Sequence, residues 1–408
     1  MKLKWIAVLF LMGGYSSLFA NKLPELNRKY RAVLNTPGGE LPFELELRID
    51  ANGKGIFTVM NGQEQISNTF LYKSNDSFDL AFPVFDTYIR VVFTDNSFEK
   101  LSGIWYDKSR SGNYYLTFKA EVYDMFRFVK TPLLPAENVE GKWATTFSDE
   151  SGKEETVGIF KQEASHLNGT FLTTTGDYRF LEGEVSADSF FLSAFDGSHA
   201  FLFKGKIQQD GTLTGNWWSG KHYTAAFTAL RNVNAQLPDP KSLTYIKDGN
   251  TKFGFSLPDE NGNIVSLGDA QFNNKAVIVI ITGSWCPNCM DETSYLSEVE
   301  EKYKDKDLAI IALSFERKPD VKSFKNNIEK ERLYFGIDYT ILNAGLPKDA
   351  NTVLPMLNNV MSFPTTIILN KDHEVVEIYT GFSGPATGDI FVEFCKNFEE
   401  LLDKLLAK

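Results

Sequence analysis

The sequence predicts a multidomain chain, in which a duplicated all-β barrel or sandwich region precedes an α/β domain. Short alternating apolar runs, broken by turn residues, fill the region up to residue 230. After residue 250, continuous apolar runs alternate with helical patterns, which is typical of an α/β layer fold with a mixed sheet. A length of 408 residues also exceeds that of one ordinary domain.

Residues 1–20 have the pattern of a secretory signal peptide. Lys2 and Lys4 precede a short apolar run that begins at Trp5, and Ala20 is a suitable end for a cleavage site. We therefore expect an exported, periplasmic protein that is soluble after cleavage. An uncleaved N-terminal membrane anchor is the alternative, although the apolar run is short for a membrane span.

Charge and cysteine content exclude two broad classes of protein. The formal net charge of −11 argues against a nucleic-acid partner. An exported chain meets oxidising conditions, yet this one has only three cysteines, an odd number. It is therefore not a scaffold stapled by disulfides.

The β-rich region divides into two halves, residues 28–130 and 139–230. Asn-Gly pairs at 52–53 and 61–62 predict tight hairpin turns in the first half. Stretches of the first half recur in the second at an offset of about 110 residues: 76–93 parallels 188–203, and 101–118 parallels 213–227. Duplication of one β unit explains this match. Two small barrels, or one larger barrel or sandwich, both fit the pattern.

Glycine stands two positions before tryptophan at residues 103–105, 141–143 and 215–217. This spacing resembles the start of a strand in lipocalin-like barrels, where the tryptophan plugs one end. Packing is the simpler role for these side chains. A ligand-binding barrel stays open as an alternative, although no polar cluster in the sequence supports it.

Residues 231–249 are polar, contain two prolines and have no clear period, so we place a linker there. The α/β domain then spans 250–408. It is predicted to contain a hairpin at Asn261-Gly262, buried strands at 275–283 and 307–315, helices at 290–305, 318–333 and 389–408, and a final strand pair at 365–370 and 374–381.

Two of the three cysteines, Cys286 and Cys289, lie where a buried strand turns into a helix. The free N–H groups and the dipole of a helix N-terminus favour the thiolate form of Cys286. Cys289 lies one turn deeper on the same face, and Trp285 is placed to shield the pair. A thiolate backed by a second thiol is the arrangement for thiol–disulfide exchange.

A zinc site and a peroxidase are the competing interpretations of this pair. Zinc needs further cysteine or histidine ligands at compatible spacing, so we expect no metal. The remaining candidate ligands are scattered: His166, His199, His222, His373 and Cys395. A peroxidase usually has Thr or Ser three positions before its reactive cysteine, where this chain has Gly283. Cys395 lies on an apolar face of a predicted helix, so we expect it to be a small buried hydrophobic residue.

Residues 250–408, about 40% of the chain, resemble the thioredoxin-like domain of the TlpA/ResA-like thiol–disulfide oxidoreductases. The resemblance rests on "WCPNC" at 285–289 and "SFPTTIIL" at 362–369. It implies a cis proline at Pro364, which faces the cysteine pair, and a role for the backbone of Phe363 in holding substrate.

The resemblance also implies a role for Glu292. ResA-like proteins carry a glutamate three positions after the second cysteine, whereas thioredoxins carry a buried aspartate where this chain has Ile280. A carboxylate near Cys289 would accept and return its proton. We expect the neighbouring Asp291 to be an exposed first-turn acid, and the family's extra helix to lie within 341–360.

We therefore expect an exported thiol–disulfide oxidoreductase that reduces protein disulfides and needs no cofactor besides its own redox-active disulfide. The resemblance implies protein thiol clients and a membrane thiol donor of the DsbD/CcdA type. The opposing hypothesis is an envelope ligand- or partner-binding β-barrel protein with an accessory thioredoxin-like domain. The expected site comprises the catalytic residues Cys286, Cys289 and Glu292 and the substrate-binding residues Trp285, Phe363 and Pro364.

Overall fold

The computed structural model describes residues 25–73, 77–110, 112–122, 126–247 and 252–407. The predicted signal peptide, residues 1–20, lies outside the described residues. Within the described part of the chain, no helix is both long enough and apolar enough to cross a membrane.

The first half of the β region forms one antiparallel sheet that curls into an up-and-down barrel. Its first strand pairs with both the second and the last strand, so the sheet closes on itself at that point. On the other side of the barrel lie β4 and β5, the two edge strands of this sheet. They are linked there by the Asn68 side chain, which donates to the Ala81 carbonyl at 2.9 Å. The strands are β1 (Leu26–Thr36), β2 (Gly39–Ile49), β3 (Lys54–Asn61), β4 (Glu64–Leu71), β5 (Phe78–Ala81), β6 (Thr87–Phe93), β7 (Lys100–Asp107) and β8 (Tyr114–Val122).

The second half forms its own antiparallel barrel, in which β10 pairs with β11 to close the sheet. Going round from β10, the order is β9, β17, β16, β15, β14, β13 and β11, and the short β12 extends from β11. The strands are β9 (Gly141–Asp149), β10 (Gly152–Glu163), β11 (His166–Thr173), β12 (Gly176–Asp177), β13 (Leu181–Ser186), β14 (Ser189–Phe195), β15 (Ala200–Ile207), β16 (Leu213–Ser219) and β17 (Tyr223–Arg231).

The repeat in the sequence corresponds to equivalent hairpins of the two barrels. The hairpin β5–β6 matches β14–β15, and β7–β8 matches β16–β17. The tryptophans of the three Gly-x-Trp motifs, Trp105, Trp143 and Trp217, are buried in the barrel cores. The structure therefore has two barrels, because each half pairs its own strands back to itself.

The two barrels pack against each other through β14. Phe195 at the end of that strand lies 4.7 Å, centroid to centroid, from Phe43 of the first barrel. The Asn61 side chain accepts from the Phe195 N–H at 3.1 Å and donates to its carbonyl at 2.9 Å. Aromatic and aliphatic side chains fill both barrel interiors. Burial of this apolar surface stabilises the pair as one body.

The C-terminal domain is a five-stranded mixed sheet with helices on its faces, preceded by a separate two-stranded hairpin. The strand order is β22-β21-β20-β23-β24, with β20 parallel to β21 and antiparallel to β23. All residues of β20 are buried, which explains its unbroken apolar sequence. The strands are β18 (Ser256–Pro258), β19 (Ile264–Ser266), β20 (Ala276–Thr282), β21 (Leu308–Phe315), β22 (Thr340–Gly345), β23 (Thr365–Leu369) and β24 (Val375–Thr380). The helices are α1 (Pro287–Tyr303), α2 (Val321–Phe335), α3 (Ala350–Val353) and α4 (Asp389–Leu406).

The segment 341–360 contains the expected extra helix in short form, a 3-10 turn (Pro347–Asp349) that runs directly into α3, after the residues at its start have paired with β21 as the edge strand β22. Another stretch differs from what the sequence suggests. The predicted linker already contacts the α/β domain before residue 250. Tyr245 and Lys247 hydrogen bond through their backbones to Asn358 and Met356.

Candidate active site

The cysteine pair lies at the junction of β20 and α1. Cys286 is the N-cap of α1, and its sulfur accepts from the Cys289 N–H at 3.2 Å. Pro287 occupies the first turn, where no backbone donor is needed. The two cysteines are joined in a disulfide with Cα atoms 5.2 Å apart, so the structure shows the oxidised form.

The loop before β23 faces the disulfide. The peptide bond between Phe363 and Pro364 is cis. The Phe363 carbonyl oxygen lies 3.4 Å from the Cys286 sulfur, and Pro364 is buried. Residues far apart in sequence are thus brought together, because β20 and β23 are neighbours in the sheet.

Trp285 is half-buried beside the disulfide. Its indole N–H donates to the Phe315 carbonyl at 2.9 Å, which fixes the ring. The ring packs against Phe363 at a centroid distance of 5.4 Å. On the other side, the Arg317 guanidinium lies 4.6 Å from the ring centroid, a cation–π contact.

Glu316 is a site residue that sequence reasoning missed. Its buried carboxylate accepts from the Ser284 N–H at 3.0 Å and from the Ser284 and Ser314 hydroxyls at 2.7 and 2.6 Å. The Asn327 amide donates to it at 3.0 Å. These bonds fix the loop that carries Cys286. In sequence, Glu316 is only an acid after an apolar strand, which carries no signal for this role.

Glu292 is buried one turn of α1 beyond Cys289, with 2% of its surface exposed. One carboxyl oxygen accepts from the Thr366 hydroxyl at 2.6 Å, and the other has no hydrogen-bond partner among the described residues. Burial raises the pKa of Glu292 to about 8, although the Thr366 hydrogen bond works against the shift. The group therefore gains or loses a proton near neutral pH.

The expectation that Asp291 is an exposed acid is wrong. Its carboxylate forms an ion pair with Arg179 of the second barrel. Arg179 is buried and also contacts Glu64 of the first barrel and Asp196 of the second. The first turn of α1 faces the barrels, and this is why the acid there is covered and paired.

The barrels cover the disulfide, so that Cys286 is 5% and Cys289 1% exposed. Val84 of the first barrel packs directly on the two cysteines and Met290. Three side-chain hydrogen bonds tie the second barrel to the surrounding loops: Asn288 to the Asp177 carbonyl, Ser362 to the Thr175 carbonyl and Ser198 to the Trp285 carbonyl. No local sequence signal marks these contacts, since each joins residues far apart along the chain.

Cys395 lies apart from this site, whereas His199 borders the cleft beside Cys286. Cys395 is a free, partly buried thiol of α4 that packs against the core of the domain. Burial raises its pKa to about 11, which makes it a poor nucleophile at neutral pH. No cluster of three or more His, Cys, Asp or Glu side chains suited to a metal ion occurs among the described residues.

The chain is similar to known redox proteins over this domain. The Redoxin family matches residues 234–389. The thiol–disulfide oxidoreductase ResA of Geobacillus kaustophilus is 30% identical over 138 residues, which cover 34% of this chain and 72% of that protein. The thioredoxin-like protein YneN of Bacillus subtilis is 30% identical over 140 residues, or 33% of this chain and 73% of that protein.

Solved structures with a similar domain include the thioredoxin domain of a thiol–disulfide oxidoreductase from Bacteroides vulgatus. It is 25% identical and covers 37% of this chain and 99% of its own, with a TM-score of 0.28. The identity to the ResA protein, and the share of that protein that is matched, establish the family. The chain belongs to the ResA-like thiol–disulfide oxidoreductases, with a thioredoxin-like domain as its C-terminal part.

Proposed function

We propose that the protein is exported and that its reduced Cys286–Cys289 pair reduces disulfides of protein clients. The observation that carries the proposal is the position of the Cys286 sulfur. It caps the N-terminus of α1, faces the Phe363 carbonyl, and has Cys289 directly behind it. The signal-peptide pattern of residues 1–20 supports export.

In the first step, the Cys286 thiolate attacks one sulfur of the client disulfide. The Cys289 N–H, which points at the Cys286 sulfur, stabilises its negative charge together with the helix dipole. A mixed disulfide forms between Cys286 and the client, the client's own disulfide breaks, and the released client sulfur takes up a proton.

In the second step, Cys289 attacks the Cys286 sulfur and releases the second client thiol. Cys289 must lose its proton first, and we assign that proton to the buried Glu292 carboxylate. The client disulfide is reduced to two thiols, and the protein is left with the Cys286–Cys289 disulfide. No cofactor besides this pair enters the cycle. A membrane thiol donor of the DsbD/CcdA type would return the pair to the dithiol form.

The β region has a recognition role in this proposal. Both barrel interiors are filled by side chains, so a ligand inside either barrel is not favoured. The barrel loops border the disulfide instead. We therefore assign contacts with the client to those loops together with Trp285, Phe363 and Pro364.

The reduction potential of the Cys286–Cys289 pair tests the direction of the reaction. The purified protein would be equilibrated with defined thiol buffers and its alkylated cysteines counted by mass. A value near that of thioredoxin, about −270 mV, supports a reductase whose cysteine pair is kept reduced by a thiol donor. A value near about −120 mV, as in strong oxidants, would mean that the protein installs disulfides instead.

A further inference from the structure

A cleft of about 200 Å³ leads to Cys286, and all three structural units form its walls. Arg110 comes from the first barrel, Tyr178 and His199 from the second, and Arg317 and Phe363 from the thioredoxin-like domain. The cleft is smaller than the roughly 300–1,000 Å³ of sites for drug-sized ligands. It admits a small compound without any movement of the barrels, whereas a folded protein surface would need them to move.

The position of the barrels over the cleft is fixed by a buried ionic cluster. Arg179 contacts Glu64 of the first barrel, Asp196 of the second and Asp291 of α1, and all four groups are largely removed from water. Its guanidinium also donates to the Pro287 carbonyl at 3.2 Å. These contacts join both barrels to α1 at the edge of the cleft.

The cleft carries positive charge at its mouth. Arg317 donates to the Ser109 hydroxyl at 2.7 Å, lies over Trp285, and forms no ion pair with a carboxylate among the described residues. Arg110 pairs with Asp107, leaving a guanidinium that is partly exposed. Burial lowers the pKa of Arg317, and so does the charge of the nearby Arg110, whereas the carboxylates of Asp107 and Glu316 act in the opposite direction.

One carboxylate also borders the cleft, but its oxygens are already bound. Asp177 accepts from the Arg179 N–H at 2.7 Å and from the Gly384 N–H at 2.7 Å, and the side chain is buried. Its two oxygens thus bond to these backbone donors and not to Arg317. An anion that enters the cleft meets guanidinium donors, which are well suited to bind a carboxylate.

We propose a further activity of the same dithiol, the reduction of low-mass disulfides that carry carboxylate groups, with Arg317 and Arg110 as the residues that bind the carboxylates. The activity rests on the proposed function of Cys286 and Cys289. It differs in its substrate class, because a small anionic disulfide reaches Cys286 while the barrels stay in place.

The reaction is balanced by the dithiol itself. The Cys286 thiolate attacks one sulfur of the small disulfide, a mixed disulfide forms, and the first small thiol leaves with a proton. Cys289 then displaces the second small thiol from Cys286. One disulfide becomes two thiols, and the protein dithiol becomes the Cys286–Cys289 disulfide.

Three disulfides of similar size test the proposal: 3,3′-dithiodipropionate, bis(2-hydroxyethyl) disulfide and cystamine, which are anionic, neutral and cationic. The full-length reduced protein is mixed with each, and loss of free Cys286 is followed by rapid alkylation and mass analysis. Each rate constant is divided by that of free dithiothreitol with the same disulfide, which removes differences between the leaving thiols. We expect the normalised rates to fall from anionic through neutral to cationic, at least tenfold overall.

Variants assign the preference to the cleft. Arg317→Gln should lower the anionic-to-neutral ratio about tenfold, while Lys322→Gln, which removes one exposed charge on α2, should leave the ratio as in the wild type. Equal normalised rates for the three disulfides would overturn the inference, and so would an anionic preference that survives in Arg317→Gln. If no disulfide reacts at all, the dithiol mechanism under the proposed function fails as well, so the two failures are distinguishable.

Discussion

At the scale of single residues, the site combines groups whose chemistry depends on burial. Cys286 is at the surface of its own domain but is covered by the barrels, and Cys289 is buried behind it. Glu292 is a buried acid one turn of α1 beyond Cys289 and, unlike Asp291, has a carboxyl oxygen without a hydrogen-bond partner among the described residues. An ionisable group kept in such a place destabilises the fold when charged, which points to a chemical use.

Replacing Cys289 by serine should trap the client. Cys286 can still attack, but no second thiol displaces the mixed disulfide, so clients stay attached to the protein. Non-reducing gels and mass analysis of the exported fraction would detect the adducts. Cys286→Ser is the matched control and should form none. Adducts that form equally with Cys286→Ser would contradict the assigned order of attack.

Glu292→Gln should slow the second step and remove its pH dependence. In the wild type, decay of the mixed disulfide should accelerate as the pH rises through about 8, since the carboxyl becomes a base only when it loses its proton. The variant should show slower decay, by about a hundredfold or more, without this inflection. Rapid-quench alkylation at pH values from about 6 to 9, which bracket the pKa of Glu292, measures both the decay rate and its inflection. An unchanged inflection would assign the proton to another group.

The same variant should gain stability relative to the wild type as the pH rises. Below the unfolded pKa of glutamate, about 4.3, Glu292 is protonated in both states and contributes no pH dependence. Between there and about 8 the unfolded state loses the proton while the folded state keeps it, so the wild type becomes less stable. Thermal unfolding at several pH values measures this effect. The unfolding free energy of the variant minus that of the wild type should increase up to about pH 8. A constant difference would argue against the raised pKa.

At the scale of elements, the turn between β11 and β12 places the second barrel against α1. Gly176 has a φ of +143° and forms a parallel bridge with Phe382. A Cβ atom there would overlap the Asn288 side chain, which is hydrogen-bonded to Asp177. Both the positive φ and this close approach therefore favour glycine at position 176.

Gly176→Ala should therefore loosen the contact and expose the cysteines. We expect the reduced form to be alkylated at Cys286 several times faster than the wild type, because the adjoining loop of the second barrel can no longer lie on α1. Gly152→Ala is a matched control, since Gly152 has a φ of +144° but open space around its Cβ position. Equal alkylation rates in the two variants would attribute the effect to backbone strain alone.

At the scale of the whole molecule, the three units are held together around one buried arginine. Arg179 is contacted by carboxylates from both barrels and from α1. Burial raises the pKa of Glu64 and raises that of Asp291 to about 7. The single positive charge of Arg179 does not offset this effect, because several acids share it. The cluster links domain position to the cover over Cys286.

Arg179→Leu should release the barrels from the thioredoxin-like domain. Removing one partner of a buried ionic cluster costs about 3–5 kcal/mol, because the remaining carboxylates stay buried without compensation. Hydrogen exchange at 173–177 and 287–291 should accelerate, and insulin disulfides should be reduced faster. Arg90→Leu, which removes an exposed ion pair with Asp79, is the control and should change neither. A folded Arg179→Leu protein with unchanged exchange at both segments would show that other contacts fix the barrels.

Sequence patterns anticipated the thioredoxin-like domain better than the arrangement around it. The Asn-Gly turns at 52–53 and 61–62, the buried strand β20 and the pairing of β23 with β24 follow from local turn chemistry and apolar periodicity. The extra helix expected in 341–360 is short, at 347–353, because the apolar run at the start of the segment pairs with β21 as a strand, and such a run fits either element until its sheet neighbours are known.

The sequence by itself determined the cysteine pair at a strand–helix junction, because a strand pattern and a helix pattern meet there and each has a local physical cause. The roles expected for Glu292 and Pro364 came from the resemblance of their motifs to a known family. Only the tertiary structure decided that the β halves are two barrels, that Asp291 is paired with Arg179, and that Arg110 and Arg317 share a cleft with Cys286. Those contacts join residues about 100–200 positions apart along the chain, and no single-sequence periodicity encodes such pairings.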